Sequence, residues 1–167
     1  NEDAMTVNLV PTLLANDTDL DPGDTRSITA VDTTSTVGTV SFDAGTQTLT
    51  YAANAASQNA LATGVTVLDR FTYAIADGAG ATSTAAVTVT VTGVNDAPTL
   101  VHAITDQAAA QNAAFNFRVP VNSFVDVDVG DTLNYSATLA NEGALPSWLS
   151  FDPATNSLNG TPRNGDV

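Results

Sequence analysis

Cysteine and lysine are both missing from this 167-residue chain, and glutamate nearly so, with 2 residues against 16 aspartates. Without cysteine there is neither a disulfide nor a thiolate metal site. Without lysine there is no Lys–Asn isopeptide staple. A small β-domain in an extracellular setting would then need another cross-link, and metal remains. Only 4 arginines, at 26, 70, 118 and 163, stand against a net charge of −14. They form no basic patch, which excludes nucleic acid as a partner. The same repulsion excludes anionic membrane surfaces, and no apolar run of membrane-spanning length or secretory leader pattern occurs in these residues. His102 is the only histidine, and no Ser–His–Asp or Cys–His arrangement assembles around it. The reading is therefore of a protein that is not an enzyme, with no catalytic residues.

What the chain does contain is the vocabulary of strands and turns. Glutamate and lysine normally furnish helix surfaces, so little helix-forming material is left outside the alanines. Threonine, valine, glycine and aspartate fill the sequence instead. At 43% hydrophobic residues it is a folding sequence, and it reads as nearly all β. The surplus of aspartate in turns suits hard cations, above all calcium. Residues 39–42 and 48–52 flank a hairpin turn, while Phe71-Thr72-Tyr73-Ala74-Ile75 and Ala86-Val87-Thr88-Val89-Thr90-Val91 alternate at period two. Between them Asp77-Gly78-Ala79-Gly80 is a turn with glycines available for positive φ. The apolar run 5–14 and the segments 114–120, 132–139 and 148–151 are read as further strands. Alanine-rich stretches at 52–62 and 108–114 lack apolar spacing and caps, and carry little helical weight.

Self-similarity organises the chain. Ser41-Phe42-Asp43-Ala44-Gly45-Thr46-Gln47-Thr48-Leu49 matches Ser150-Phe151-Asp152-Pro153-Ala154-Thr155-Asn156-Ser157-Leu158 at five of nine positions, an offset of 109 residues. The same offset pairs Asp17 and Asp19 with Asp126 and Asp128, Val10-Pro11 with Val119-Pro120, and Ala4 with Ala113. These are two copies of one unit. In this register copy one has no equivalent of residues 97–109, its expected first strand, and copy two has no equivalents of residues 69–76 and 82–92. The window is expected to be cut from a longer tandem array. Copy two is expected to be completed by another chain, to be structured differently from a full domain, or to continue in further residues.

These residues carry a resemblance. Leu14-Ala15-Asn16-Asp17-Thr18-Asp19, Asp69-Arg70-Phe71-Thr72-Tyr73 and Gly93-Val94-Asn95-Asp96-Ala97-Pro98 resemble the bacterial cadherin-like repeats of large RTX-type and biofilm adhesins. Asp106-Gln107, residues 126–132, Leu145-Pro146-Ser147-Trp148-Leu149-Ser150-Phe151-Asp152 and Asn159-Gly160-Thr161-Pro162 resemble the dystroglycan-type cadherin-like ("Putative Ig") domain. The resemblance implies tandem Greek-key (cadherin/Ig-like) β-sandwich repeats: a repeat over 1–94 lacking its first strand, a linker over 95–98, and a domain over 99–167 lacking its last strands. It also implies calcium at the junctions. Asn95 and Asp96 look like the cadherin linker, Asp126 and Asp128 like the Asp-x-Asp pair at the linker end of the next domain, Asp69 like the acidic loop at the far end of the preceding domain, and Glu2 like the early acidic residue there. A second cluster, Asp17, Asp19, Asp21 and Asp24 with Asp77, would face a preceding repeat. The implied function is that of an extender in a secreted bacterial surface adhesin, active in cell adhesion or biofilm formation, exported by type I secretion, with neighbouring repeats as its partners. Strand exchange or a homodimer through the incomplete domains is a further expectation.

Other readings compete. Residues 17–24 suggest an EF-hand loop, but Pro22 stands where that loop needs glycine and Ile28 where it needs glutamate. A solvated turn is the bland alternative for the same aspartates. Paired carboxylates could serve a glycosidase, yet they sit in turns without an aromatic cleft. Trp148 reads as core packing, with a sugar-stacking role as the alternative. Asp21-Pro22 and Asp152-Pro153 resemble sites of autocleavage but read as ordinary turns. A glycan- or protein-binding module, or an accessory domain of a secreted hydrolase, is the runner-up function.

Overall fold

The computed structural model describes residues 1–4, 7–21 and 23–166. It divides into two units, Asn1–Asn95 with Asp128–Gly130, and Asp96–Val127 with Asp131–Val167. The elements are α1 (Val10–Leu14), β1 (Ser27–Asp32), β2 (Thr39–Asp43), β3 (Thr48–Ala52), α2 (Ala56–Asn59), β4 (Thr66–Ala76), β5 (Thr82–Thr92), β6 (Thr99–Leu100), β7 (Phe115–Arg118), β8 (Phe124–Val125), β9 (Leu149–Asp152) and β10 (Ser157–Gly160). Every strand pairing is antiparallel, and both helices are short. The all-β reading holds.

In the first unit, β1, β4 and β5 form one sheet in that order and β2–β3 form a hairpin. β4 shows why the layers stack: Asp69, Phe71 and Tyr73 are buried at every second position, while Arg70 and Thr72 between them face water. Phe71 and Tyr73 join Ile28, Leu49, Tyr51, Ala53, Val10 and Val91 in one apolar core. Burying a Phe- or Ile-sized side chain is worth ~1.5–3 kcal/mol, so this cluster is the main support of the unit. Gln47 ties the hairpin to β1: its side-chain amide donates to the Ile28 carbonyl (3.0 Å) and accepts from the Ile28 amide (2.9 Å).

The repeated nonapeptide is the same hairpin in both units. Asp43 pairs with Thr48 across one turn and Asp152 with Ser157 across the other. Each aspartate turns back on its own loop, Asp43 accepting the Gly45 amide and Asp152 the Ala154 amide. The equivalent residues Gln47 and Asn156 both take positive φ, at 48° and 53°. One sequence signature has produced one turn geometry twice.

Three expected elements come out differently. The run 5–14 is predicted as a strand, but its later part is helix α1, with Pro11 in the first turn, where a missing N–H costs nothing. Val10, Leu13 and Leu14 have helical spacing and pack on or in the core. Met5 and Thr6 lie outside the described residues. The alanine-rich stretch 52–62 holds helix α2, whose Gln58 is 2% exposed and therefore has a buried task. Residues 132–139 form no ladder among the described residues, although residues 133–137 still alternate between half-buried and exposed. A strand is defined by its partner's backbone, and the pattern alone does not supply one. In the second unit β10 lies between β7 and β9, and β6 pairs with β8. Its apolar side chains are less deeply enclosed: Phe115 meets Trp148 edge-on at 6.3 Å and Phe124 meets Tyr135 at 6.0 Å, and all four are half-buried.

Candidate metal centres

Asp69 lies on the inward face of β4, in register with Phe71 and Tyr73. Its carboxylate accepts the backbone amides of Val37 (2.9 Å), Gly38 (2.7 Å) and Arg70 (2.8 Å), the Tyr51 hydroxyl (2.8 Å) and the Gln58 side-chain amide (3.3 Å). Burial pushes this carboxyl up, but the amides of Gly38 and Val37, the Tyr51 hydroxyl and the Arg70 amide outweigh it and hold it below the ordinary value of 3.8. The converse falls on Tyr51, whose hydroxyl is pushed up to about 12 by burial and by the hydrogen bond to Asp69. Both oxygens of Asp69 are thus engaged by the protein's own donors, a structural role that the family resemblance did not suggest. Period-two alternation leading back from Phe71 and Tyr73 is the sequence signal that pointed inward.

Glu2 is a different case. It is only 6% exposed, its Oε1 accepts the Val94 amide at 2.6 Å, and its Oε2 is buried with no hydrogen-bond partner among the described residues. A buried carboxylate oxygen left without a donor or cation is costly.

Two groups of carboxylates converge. Oxygens of Asp19, Asp24 and Asp77 lie within 4.8 Å of one another, and so do oxygens of Asp126, Asp128 and Asp131. In the first group, Asp19 accepts the Asp21 amide and Asp77 the Ala81 amide, both at 2.8 Å, which fixes the two loops. Arg26 lines the same hollow as Asp19 and Asp77. Asp17 and Asp21 are outside this group. Asp17 stands beside Tyr73, whose hydroxyl is raised by burial first and by Asp17's charge second, and Asp21 is exposed.

The second group is formed by a single loop. Gly130, with φ at +99°, turns the chain so that Asp131 returns toward Asp126 and Asp128. Asp131 was not among the residues that the sequence singled out. Its signal was the aspartate closing Asp126-Val127-Asp128-Val129-Gly130-Asp131, directly after a glycine. Asp128 is 5% exposed and belongs to the first unit, where the Val129 amide donates to the Ala60 carbonyl at 3.1 Å. Asn95 closes the main span of the first unit and is exposed, and Asp96 opens the second and is half-buried.

Calcium binds oxygens at ~2.3–2.6 Å, so ligands on opposite sides of one ion stand ~5 Å apart. Both trios fit inside that span. Their chemistry is that of hard-cation ligands: carboxylates alone, without the imidazole or thiolate that would favour zinc. No helix of the described residues is long and apolar enough to cross a membrane.

Family models agree with this architecture. The "Bacterial cadherin-like domain" model matches residues 1–93, and the "Putative Ig domain" model matches residues 97–167. No curated protein matches the chain. Domains of both kinds are typically non-catalytic, fit structural repeats of surface proteins, and in the cadherin-like case commonly bind calcium. With residues 1–93 covered by the first model, and with antiparallel sheets around a single core in that span, the chain belongs to the bacterial cadherin-like domain family, continued by an Ig-like domain.

Proposed function

We propose that this chain is a calcium-rigidified extender of a large secreted bacterial surface adhesin. Its repeats hold a distal binding region away from the cell, and it performs no chemistry of its own. The observation that carries the reading is Glu2: a carboxylate 6% exposed, with one oxygen on the Val94 amide and the other buried without a partner among the described residues. A cation there would neutralise the charge and satisfy that oxygen. The two aspartate trios support the same chemistry on loops. Glu2, Asp126, Asp128 and Asp131, with Asn95 and Asp96 from the linker, are the residues that would hold calcium. Bound metal would supply rigidity, by replacing carboxylate repulsion with shared coordination. Asp19, Asp24 and Asp77 would form a further site.

The resemblance of residues 14–19, 69–73 and 93–98 to RTX-type repeats supports the adhesin setting, with export by type I secretion and a part in biofilm formation. A chain of this kind stays loose where calcium is scarce and stiffens outside the cell. Trp148 gives no support to a glycan-binding reading, because its ring is half-buried and packs edge-on against Phe115.

Melting the chain with calcium and with EDTA tests the proposal. At calcium about 100-fold above its dissociation constant, binding adds ~2.7 kcal/mol, a rise of about 10–20 °C for a unit of this size. Glu2→Gln reduces the rise, and Asp126→Ala with Asp128→Ala abolishes its linker part. Superimposable melting curves in calcium and EDTA would overturn the proposal.

A further inference from the structure

The dipeptide Asn-Gly occurs at 159–160 and again at 164–165. Its chemistry is particular, because the glycine nitrogen can attack the asparagine's own side-chain amide, and glycine has no Cβ to shield that nitrogen or to restrict the chain around it. Closing the five-membered ring turns the intervening peptide plane far from extended geometry, so the fold decides where this can happen. Asn159 and Gly160 are locked. They lie in β10, where Asn159 pairs with Asn116 on one side and Ser150 on the other, and Gly160 with Phe115 and Leu149. The Asn159 side-chain amide donates to the Ser157 carbonyl at 3.4 Å, and a Cβ placed on Gly160 would run into the Trp148 carbonyl. Rotation there would pull backbone hydrogen bonds out of two ladders.

Asn164 and Gly165 meet none of these constraints. Both are exposed, at the tip of a turn over residues 163–166. The turn is closed by the Asp166 amide on the Arg163 carbonyl (3.1 Å) and by the Arg163 amide on the Asp166 carboxylate (2.7 Å). Neither the Asn164 side chain nor the Gly165 amide has a hydrogen-bond partner among the described residues. Gly165 has φ at +94°, and a Cβ built on it would meet nothing within 4 Å. We propose that Asn164 is a self-modifying site, which loses its side-chain amide through a succinimide without any enzyme. The Gly165 nitrogen gives its proton to hydroxide and bonds to the side-chain carbonyl carbon of Asn164. The bond from that carbon to the amide nitrogen breaks, and ammonia leaves after taking up a proton from water. A second water then opens the ring. Addition at the side-chain carbonyl restores the ordinary chain, with aspartate at 164. Addition at the main-chain carbonyl leaves isoaspartate, in which the chain runs through the former side chain. Either product places a new carboxylate in the turn that already holds Asp166. Isoaspartate also lengthens the backbone by one methylene inside a turn closed by two hydrogen bonds. Arg163 and Asp166 line a hollow with Ser147, Trp148 and Thr161, so the modification reshapes one wall of it.

Ageing the full 167-residue chain at mildly alkaline pH, then digesting it and weighing the peptides that contain each dipeptide, tests this. A converted site carries oxygen in place of NH. Opening β10 takes free energy that the turn does not need, and each ~1.4 kcal/mol slows ring closure about tenfold. Asn164 is therefore expected to convert at least about tenfold faster than Asn159. It should yield both aspartate and isoaspartate, and its rate should rise with pH. In concentrated urea the two sites become the same dipeptide in an open chain, and their rates should converge. Asn164→Gln should remove the fast conversion and leave the slow one at Asn159. A folded chain in which Asn164 converts no faster than Asn159, or a fast product that contains aspartate alone, overturns the proposal.

Discussion

Replacing Asp69 by asparagine separates two roles for the same carboxylate. If it is the internal acceptor described above, the side-chain NH2 must face donors whichever way the amide turns. One orientation sets it against the Val37 and Arg70 amides, the other against the Gly38 amide, the Tyr51 hydroxyl and the Gln58 amide. Asp69 is 2% exposed, so water cannot easily repair the loss. With ~1–3 kcal/mol for each buried group left unsatisfied and at least two such groups, Asp69→Asn should destabilise the first unit by about 2–4 kcal/mol. That lowers its melting temperature by about 10–25 °C. Urea unfolding followed by circular dichroism measures the difference, with calcium and with EDTA, and it should be the same in both. It should also depend on pH with a definite sign. The Asp69 carboxyl is held below its ordinary 3.8, so its contribution is complete above that value and fades as pH falls through the lower folded-state value. The gap between parent and variant therefore narrows as pH falls below the ordinary 3.8. A variant within about 0.5 kcal/mol of the parent at neutral pH would refute the donor-cage argument. A loss seen only in calcium would return Asp69 to the metal.

Three further outcomes follow from the same packing. Gly38→Ala should cost ~1–3 kcal/mol in urea unfolding, because the added Cβ would stand 2.5 Å from the Ala52 carbonyl oxygen and 2.7 Å from the Tyr51 hydroxyl. The two equivalent hairpin positions should respond with opposite sign to glycine. Asn156→Gly relaxes a positive φ and should be neutral or stabilising by up to ~1 kcal/mol, whereas Gln47→Gly also removes both hydrogen bonds to Ile28 and should lower the melting temperature. In an alkaline titration followed by tyrosine absorbance, Tyr51 should ionise near 12 in the folded protein rather than at its ordinary 10. Its folded-state value is raised, so its contribution is complete below 10 and is lost as pH rises through 12. Tyr51→Phe should remove that late step.

Much of the fold was legible because β-structure writes its own period. Alternation in residues 71–75 and 86–91 located β4 and β5, and the repeated nonapeptide located both hairpins. Misreadings arose where a segment's state depends on a distant neighbour. The run 5–14 is apolar enough for a strand, yet Pro11 and the spacing of Val10, Leu13 and Leu14 favour one helical turn over the core. Residues 132–139 kept much of the alternation and lacked the partner. Among the candidate ligands, Asp19, Asp24 and Asp77 converge, as do Asp126 and Asp128, while Asp69 turns inward to five donors and Asp131 enters through a glycine turn.

The order of residues by itself determined the chemistry available. A chain with carboxylates in its turns, almost no cations and no cysteine can be cross-linked by hard metal ions and by little else, and its alternating threonines and valines commit it to sheets. Which carboxylates remain open to a cation was decided only when the strands packed. Burial and hydrogen bonding act through space: the amides of Val37 and Gly38 reach Asp69 from more than thirty positions away, and Val94 reaches Glu2 across ninety-two. Charge is a property of the residue, but solvation and partners belong to the place where the fold puts it.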